Sequence, residues 1–125
     1  MILGLGTDLI EVARIQASLD KFGDHFLHRI LTSGEIAYCQ TYRAPALHVA
    51  ARFAAKEAVA KAFGTGIGAE LGWLDMEVRR AESGAPFVEL SGKGRELFQA
   101  RAAARLLLTL SHTANHAVAV AILEG

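Results

Sequence analysis

Strand-like and helix-like spacings of apolar residues alternate along the chain. "ILGLGTDLI" reads as a short strand: Ile2, Leu3 and Leu5 are strand formers, and Gly4 and Gly6 permit close backbone approach. From Glu11 to about Leu19 the period turns helical, with Val12, Ile15 and Leu19 recurring at three and four. Gly23 interrupts. A second short helix, about Asp24 to Leu31, turns Phe26, Leu27, Ile30 and Leu31 inward. Thr32 or Ser33 can cap a third helix, with Glu35 in its first turn. "RAPA" breaks the pattern, and Pro45 suits the first turn of a helix running from about Ala46 to Phe63. That helix is alanine-rich, which predicts close packing against another element. Gly64 and Gly66 end it, with Lys61 in its last turn.

Beyond the glycines the period falls to two. "WLDMEVRR" and "PFVEL" read as strands joined by the turn "AESGAPF". Ser91 is placed to cap a helix over about Gly92 to Arg101. "RLLLTLS" and "AVAVAIL" form a last strand pair around "HTANH". The order predicts an α+β fold of one domain, residues 1–125. An antiparallel sheet packs with a long alanine-rich helix and several short ones.

Composition narrows the classes. Of 125 residues, 52% are hydrophobic and 21% charged, which is globular rather than disordered. Formal net charge is zero, so no global basic field recruits nucleic acid. The single cysteine, Cys39, excludes an intramolecular disulfide and suits a reducing cytoplasm. It reads as a small, partly buried helix residue. "MILGLGTDLIEVARI" lacks the basic n-region of a signal peptide, and Asp8 and Glu11 break its apolar run. Leu106 to Leu123 carries no Asp, Glu, Lys or Arg. The polar "SHTANH" in its middle fits two strands and a turn better than a membrane span.

Four places hold candidate chemistry. "GLGTD" fails as a dinucleotide fingerprint, because Leu9 stands where the third glycine belongs. Asp8 has two readings there: an N-cap for the next helix, or an acid held at the end of a strand. Glu57 and Lys61 stand four apart on one helical face. Exposed, such a pair contributes ~0.3–0.5 kcal/mol. Beside Phe53, Ala54 and Ala60, Glu57 is instead a partly buried carboxylate in need of a cation, a hydrogen bond or a metal. "GTG" follows a helix end, so it is no P-loop, yet it allows a sharp reversal close to a ligand. In "SHTANH", His112 and His116 have a zinc-like spacing that serves a helix face, whereas this is a turn. A hairpin turn and a hydroxyl–imidazole cluster touching phosphate both remain open. His25 and His28 read as a solvated face. Two carboxylates with lysine nearby, and no Cys/His cluster, point to Mg2+ and pyrophosphate, hence to phosphoryl-type transfer.

Together, "GLGTDLIEVARI", "RFAAKEAVAKAFGTG" and "LSHTANHAVAVAI" resemble holo-[acyl-carrier-protein] synthases, the short class of 4'-phosphopantetheinyl transferases. The motifs occur in the family's order and span nearly the whole chain. The resemblance implies the family's fold and its reaction. The 4'-phosphopantetheine arm of coenzyme A moves to a serine of apo acyl carrier protein in fatty acid biosynthesis, with Mg2+ and release of 3',5'-ADP. It implies Asp8 and Glu57 as metal carboxylates and Lys61 as the lysine facing the pyrophosphate. His112 and Thr113 contact nucleotide phosphates. Gly64, Thr65 and Gly66 form the loop beside the cofactor, with Arg52 of the same motif also on the cofactor side. Arg14 meets the acidic carrier, and Lys21 and Arg29 add to that basic surface. The family is typically a homotrimer with sites between subunits. Larger two-repeat members carry a further acid two residues after the first aspartate. Here that position is Ile10, as in the short class. The serine's proton has two candidate acceptors, Glu57 and a water on the metal. The competing readings are a non-catalytic coenzyme A or nucleotide-binding module and a structural oligomerisation domain. The joint presence of Asp8, Glu57 and Lys61 favours the enzyme.

Overall fold

A computed structural model describes all 125 residues. The chain runs β1 (Ile2–Glu11), α1 (Val12–Phe22), α2 (Asp24–Ile30), α3 (Ser33–Gln40) and α4 (Ala46–Phe63). A 3-10 turn (Trp73–Asp75), β2 (Met76–Arg80), β3 (Pro86–Leu90), α5 (Gly92–Ala100), β4 (Arg105–His112) and β5 (His116–Glu124) follow. The fold is α+β, as predicted. Its strands form two antiparallel sheets rather than one: β1-β5-β4, and the hairpin β2-β3. Between the two sheets lies an apolar cleft lined by Val88 and Leu90 of β3, Phe98 of α5 and Leu106 of β4.

The centre of the molecule is α4 lying on β1 and β5. On β5, Ala117, Ala119, Ala121 and Leu123 are fully buried, and they alternate with half-buried Val118, Val120 and Ile122. The alanines of α4 are buried as well: Ala54, Ala55, Ala58 and Ala60 are all fully buried. The close approach requires the glycines of β1. A Cβ on Gly4 would overlap the carbonyl oxygen of Ala62, and one on Gly6 that of Ala58. The same face of β1 continues to Asp8 and Ile10, opposite Ala119 and Ala117. The other face carries Leu5 and Leu9, both about two-thirds exposed.

Local chemistry explains where elements start and stop. Thr32 caps α3 in a capping box with Glu35. Pro45 takes the N-cap position of α4, and Gly64 its left-handed C-cap at φ 78°. The N-cap reading of Asp8 is not met. Asp8 lies within β1, and α1 starts from Glu11, whose side chain makes no cap bond. Trp73 and Leu74 leave the expected strand because the Asp75 carboxylate accepts the Gly72 N–H at 2.8 Å, curling 73–75 into a turn. Ser91 stands at the N-cap of α5, but its hydroxyl makes no cap bond. Its N–H is instead tied to the Asp75 carbonyl at 2.9 Å. Cys39 is fully buried rather than partly so, and burial pushes its thiol up to about 11. No helix is long and apolar enough to cross a membrane.

Candidate active site

Because β1 and α4 pack through glycine and alanine, side chains at the edge of that contact come within reach of each other. Lys61, in the last turn of α4, donates to the Thr7 carbonyl at 2.9 Å and to Asp8 Oδ1 at 3.2 Å. The helical Glu57–Lys61 pair that the spacing allows is not formed, since Lys61 turns to the strand. Glu57 is left half-buried with no hydrogen bond or ion pair of its own. Burial, and then the Asp8 charge, raise its pKa above the usual carboxylate range, and Lys61 only partly offsets them. Two carboxylates thus sit close enough to repel. A divalent cation between them would relieve that repulsion. A donor set of two carboxylates, completed by water and phosphate, fits Mg2+.

The loop after α4 is more than a plain cap. The N–H groups of Thr65 and Gly66 both reach the Ala60 carbonyl at 3.2 Å, and the Thr65 hydroxyl donates to the Gly66 carbonyl at 2.8 Å. The glycines at φ 78° and 64° allow this reversal beside Lys61.

"SHT" lies elsewhere. Across the sheet, Asp8 pairs with Ala119 and Ala119 with Leu110; His112 is two residues farther along β4. Thr113 closes the hairpin: its hydroxyl accepts from the N–H of Asn115 at 3.3 Å and of His116 at 3.2 Å. His112 instead faces the start of α4, where its ring meets His48 edge-on at 6.3 Å.

Arg52 belongs to this second region. It is 2% exposed, its guanidinium stacks 4.1 Å above the Tyr38 ring, and its Nε has no partner. Arg80 Nε donates to the Tyr38 hydroxyl at 3.1 Å. Tyr42 lies flat on His48 at 3.6 Å. Arg52, Tyr38, Arg79, Arg80 and Glu77 line a cavity of about 360 Å³. Burial first, and then Arg52, lower the pKa of His48, so its imidazole favours the neutral form. The expected carrier-facing cations are all exposed. Arg14 and Lys21, seven apart, share one face of α1. Arg29 lies at a cleft between α1 and α2 with Ser18, Phe22, His25 and Phe26.

Residues 4–121 match the family model ACPS, the 4'-phosphopantetheinyl transferase superfamily. The chain belongs to this superfamily. Among its relatives is a holo-[acyl-carrier-protein] synthase of Protochlamydia amoebophila, 46% identical over 122 residues and covering 98% of both chains. The crystal structure of the holo-[acyl-carrier-protein] synthase from Neisseria meningitidis superposes with a TM-score of 0.94 at 32% identity over the whole of both chains. The Bacillus anthracis enzyme, crystallised in complex with CoA (3',5'-ADP), superposes at 0.84 with 40% identity, covering 100% of this chain and 98% of that one.

Two groups in this 4'-phosphopantetheinyl transferase carry no motif of their own. Tyr38, His48 and Arg80 build the second region around Arg52. Their signal was the Arg79-Arg80 pair at a strand end, read only as strand. Glu35 was read as a capping acid. It is also buried against Lys56, at 2.6 Å.

Proposed function

We propose that this chain, acting as one domain over residues 1–125, transfers the 4'-phosphopantetheine arm of coenzyme A to a serine of apo acyl carrier protein. The Asp8–Glu57–Lys61 group is the observation that carries this reading. The serine Oγ bonds to the β-phosphorus, the bridging P–O bond to the α-phosphate breaks, and 3',5'-ADP leaves. Asp8 and Glu57 would hold Mg2+, which when bound supplies charge withdrawal from the attacked phosphate. Lys61 neutralises the leaving phosphate from the same side. For the serine's proton, the acceptor that the chain itself offers is Glu57. Thr65 and Gly66 line the turn beside the arm.

Arg52, with Tyr38 and Arg80, offers an anion-binding cavity for the phosphorylated adenosine end, and His112, which reaches this region through His48, and Thr113 would add phosphate contacts. In one subunit this region is separate from Asp8 and Lys61. That supports a homotrimer in which one subunit's cavity completes its neighbour's carboxylate group. The exposed Leu5, Leu9 and Leu107 on the outer sheet face support the same assembly. Arg14, Lys21 and Arg29 would steer the acidic carrier despite zero net charge. The reaction serves fatty acid biosynthesis in the cytoplasm.

The test mixes the protein with coenzyme A, Mg2+ and apo carrier. The expected result is a mass gain of one phosphopantetheine arm on the carrier, with an equal amount of 3',5'-ADP. Chelation should abolish it. Coenzyme A binding without transfer to any of several apo carriers would instead establish a binding module.

A further inference from the structure

Lys56 and Glu35 take no part in the site as described, yet they are among the most buried side chains in the protein, at 0% and 1% exposure. The Lys56 ammonium donates to three acceptors on three different elements. These are the Ile30 carbonyl at the end of α2 (2.8 Å), Glu35 Oε1 on α3 (2.6 Å) and the Trp73 carbonyl in the 3-10 turn (2.9 Å). All three of its protons are used. Glu35 spends its carboxylate as fully: Oε1 also accepts the Thr32 N–H at 2.9 Å, and Oε2 the Val78 N–H of β2 at 2.8 Å. One side chain of α4 is thus tied to α2, α3, the turn and β2.

A buried ion pair is weak evidence for stability, because removing two charges from water offsets most of their attraction. Its best-attested use is to select one register. Here α4 needs one. Its contact with β1 is alanine on glycine, and small side chains set a distance without interlocking against rotation or sliding. Lys61 ties only the exposed last turn of α4 to Thr7 and Asp8; Lys56 supplies a second, fully buried directional constraint in the middle of the helix. Glu57 is the next residue, about 100° around the helix, so an angle fixed at 56 is fixed at 57.

We propose that Lys56 and Glu35 are positioning residues for Glu57, setting the rotation of α4 that aims its carboxylate at Asp8. This rests on the reading of Asp8 and Glu57 as the metal carboxylates. Lys56→Met alone would strand a buried carboxylate and risk unfolding, so two milder variants carry the test. Glu35→Gln keeps an oxygen for Lys56 but removes its counter-charge and sets an amide NH2 against the Val78 N–H, so it is judged only after its melting temperature shows it folded. Glu35→Gln/Lys56→Met removes both charges together. Folding is checked by circular dichroism and thermal melting. Mn2+ binding in the presence of coenzyme A is read by EPR, and kcat and the carrier KM by the mass-gain assay.

In the folded double variant, kcat falls about 10–100-fold and Mn2+ binds about tenfold more weakly, as expected when support around a metal site is lost. The carrier KM rises less than kcat falls, because Arg14 and Lys21 lie on α1, which Lys56 does not bond, and only Arg29 adjoins its Ile30 tie; general loosening would move both alike. Glu35→Gln falls between. Wild-type kcat and Mn2+ affinity in either folded variant would overturn the proposal. Absence of Mn2+ binding and transfer in the wild type would instead overturn the site reading.

Discussion

Lys61 had two carboxylates within reach and chose the one on another element. Its bond to Asp8 leaves Glu57 unpaired, with its pKa raised by burial and by the Asp8 charge. Spacing could show that Glu57 and Lys61 share a helical face. It could not show that Asp8, 53 residues from Lys61 in sequence, would take the lysine. The raised pKa of Glu57 has a consequence for metal-free protein. Between the ordinary carboxylate pKa and the raised one, the folded chain binds more protons than the unfolded chain. Stability from this group is full at low pH and lost as pH rises through that window. Glu57→Gln removes the loss. Calorimetry on the metal-free variant should show a melting temperature at pH 7 above that of wild type, converging with it at acid pH. Turnover should fall at least about 100-fold. A variant that melts lower than wild type at pH 7, or turns over normally, would contradict this account of Glu57.

At the scale of elements, α4 was legible in full. Its alanine run, the break before it and the glycines after it place it at Ala46–Phe63, where it is found. Each of those signals is local. Two departures from expectation run through one residue, Asp75. Alternation in "WLDMEVRR" marks a strand, but the carboxylate of Asp75 captures the Gly72 N–H, and its carbonyl holds Ser91 in place of a hydroxyl cap. The glycines of β1 were read as allowing close approach, and the α4 backbone occupies the space where their side chains would be. Gly6→Val should therefore destabilise the protein by about 1–3 kcal/mol through overpacking against backbone that cannot yield. The urea midpoint is the measure. Gly84→Ala at a solvent-facing turn, φ 89° with nothing within 4 Å of its added Cβ, gives a comparison that strains backbone without crowding. Loss of activity should follow Gly6 more steeply, because α4 carries Glu57 and Lys61.

At the scale of the molecule, the metal- and cofactor-side residues singled out from sequence fall into two regions, with Arg14, Lys21 and Arg29 in a third on α1 and α2. Asp8, Glu57, Lys61 and the glycine loop form one. Arg52 and His112, whose ring meets His48 in the first turn of α4, form the other; Thr113 closes the β4–β5 hairpin, and the β1-β5-β4 sheet carries an exposed apolar face. If sites form between subunits, sedimentation at micromolar concentration should give a trimer. Leu5→Glu/Leu9→Glu should give a folded monomer with little transfer activity. A wild-type monomer with full activity would sink the shared site. The sequence by itself determined the α+β class, the long alanine helix, the family and the identity of the chemical groups. These follow from periodicity, turn residues and motifs, which act over a few neighbouring positions. Only the tertiary structure decided which carboxylate Lys61 binds, that Asp8 is strand rather than cap, that Lys56 and Glu35 anchor α4, and that Arg52 stands apart from Glu57 five residues later. Those outcomes depend on contacts between residues distant in sequence. A helix turn sends Arg52 and Glu57 to different neighbours, and no local pattern encodes which neighbours the packed sheet and helices will provide.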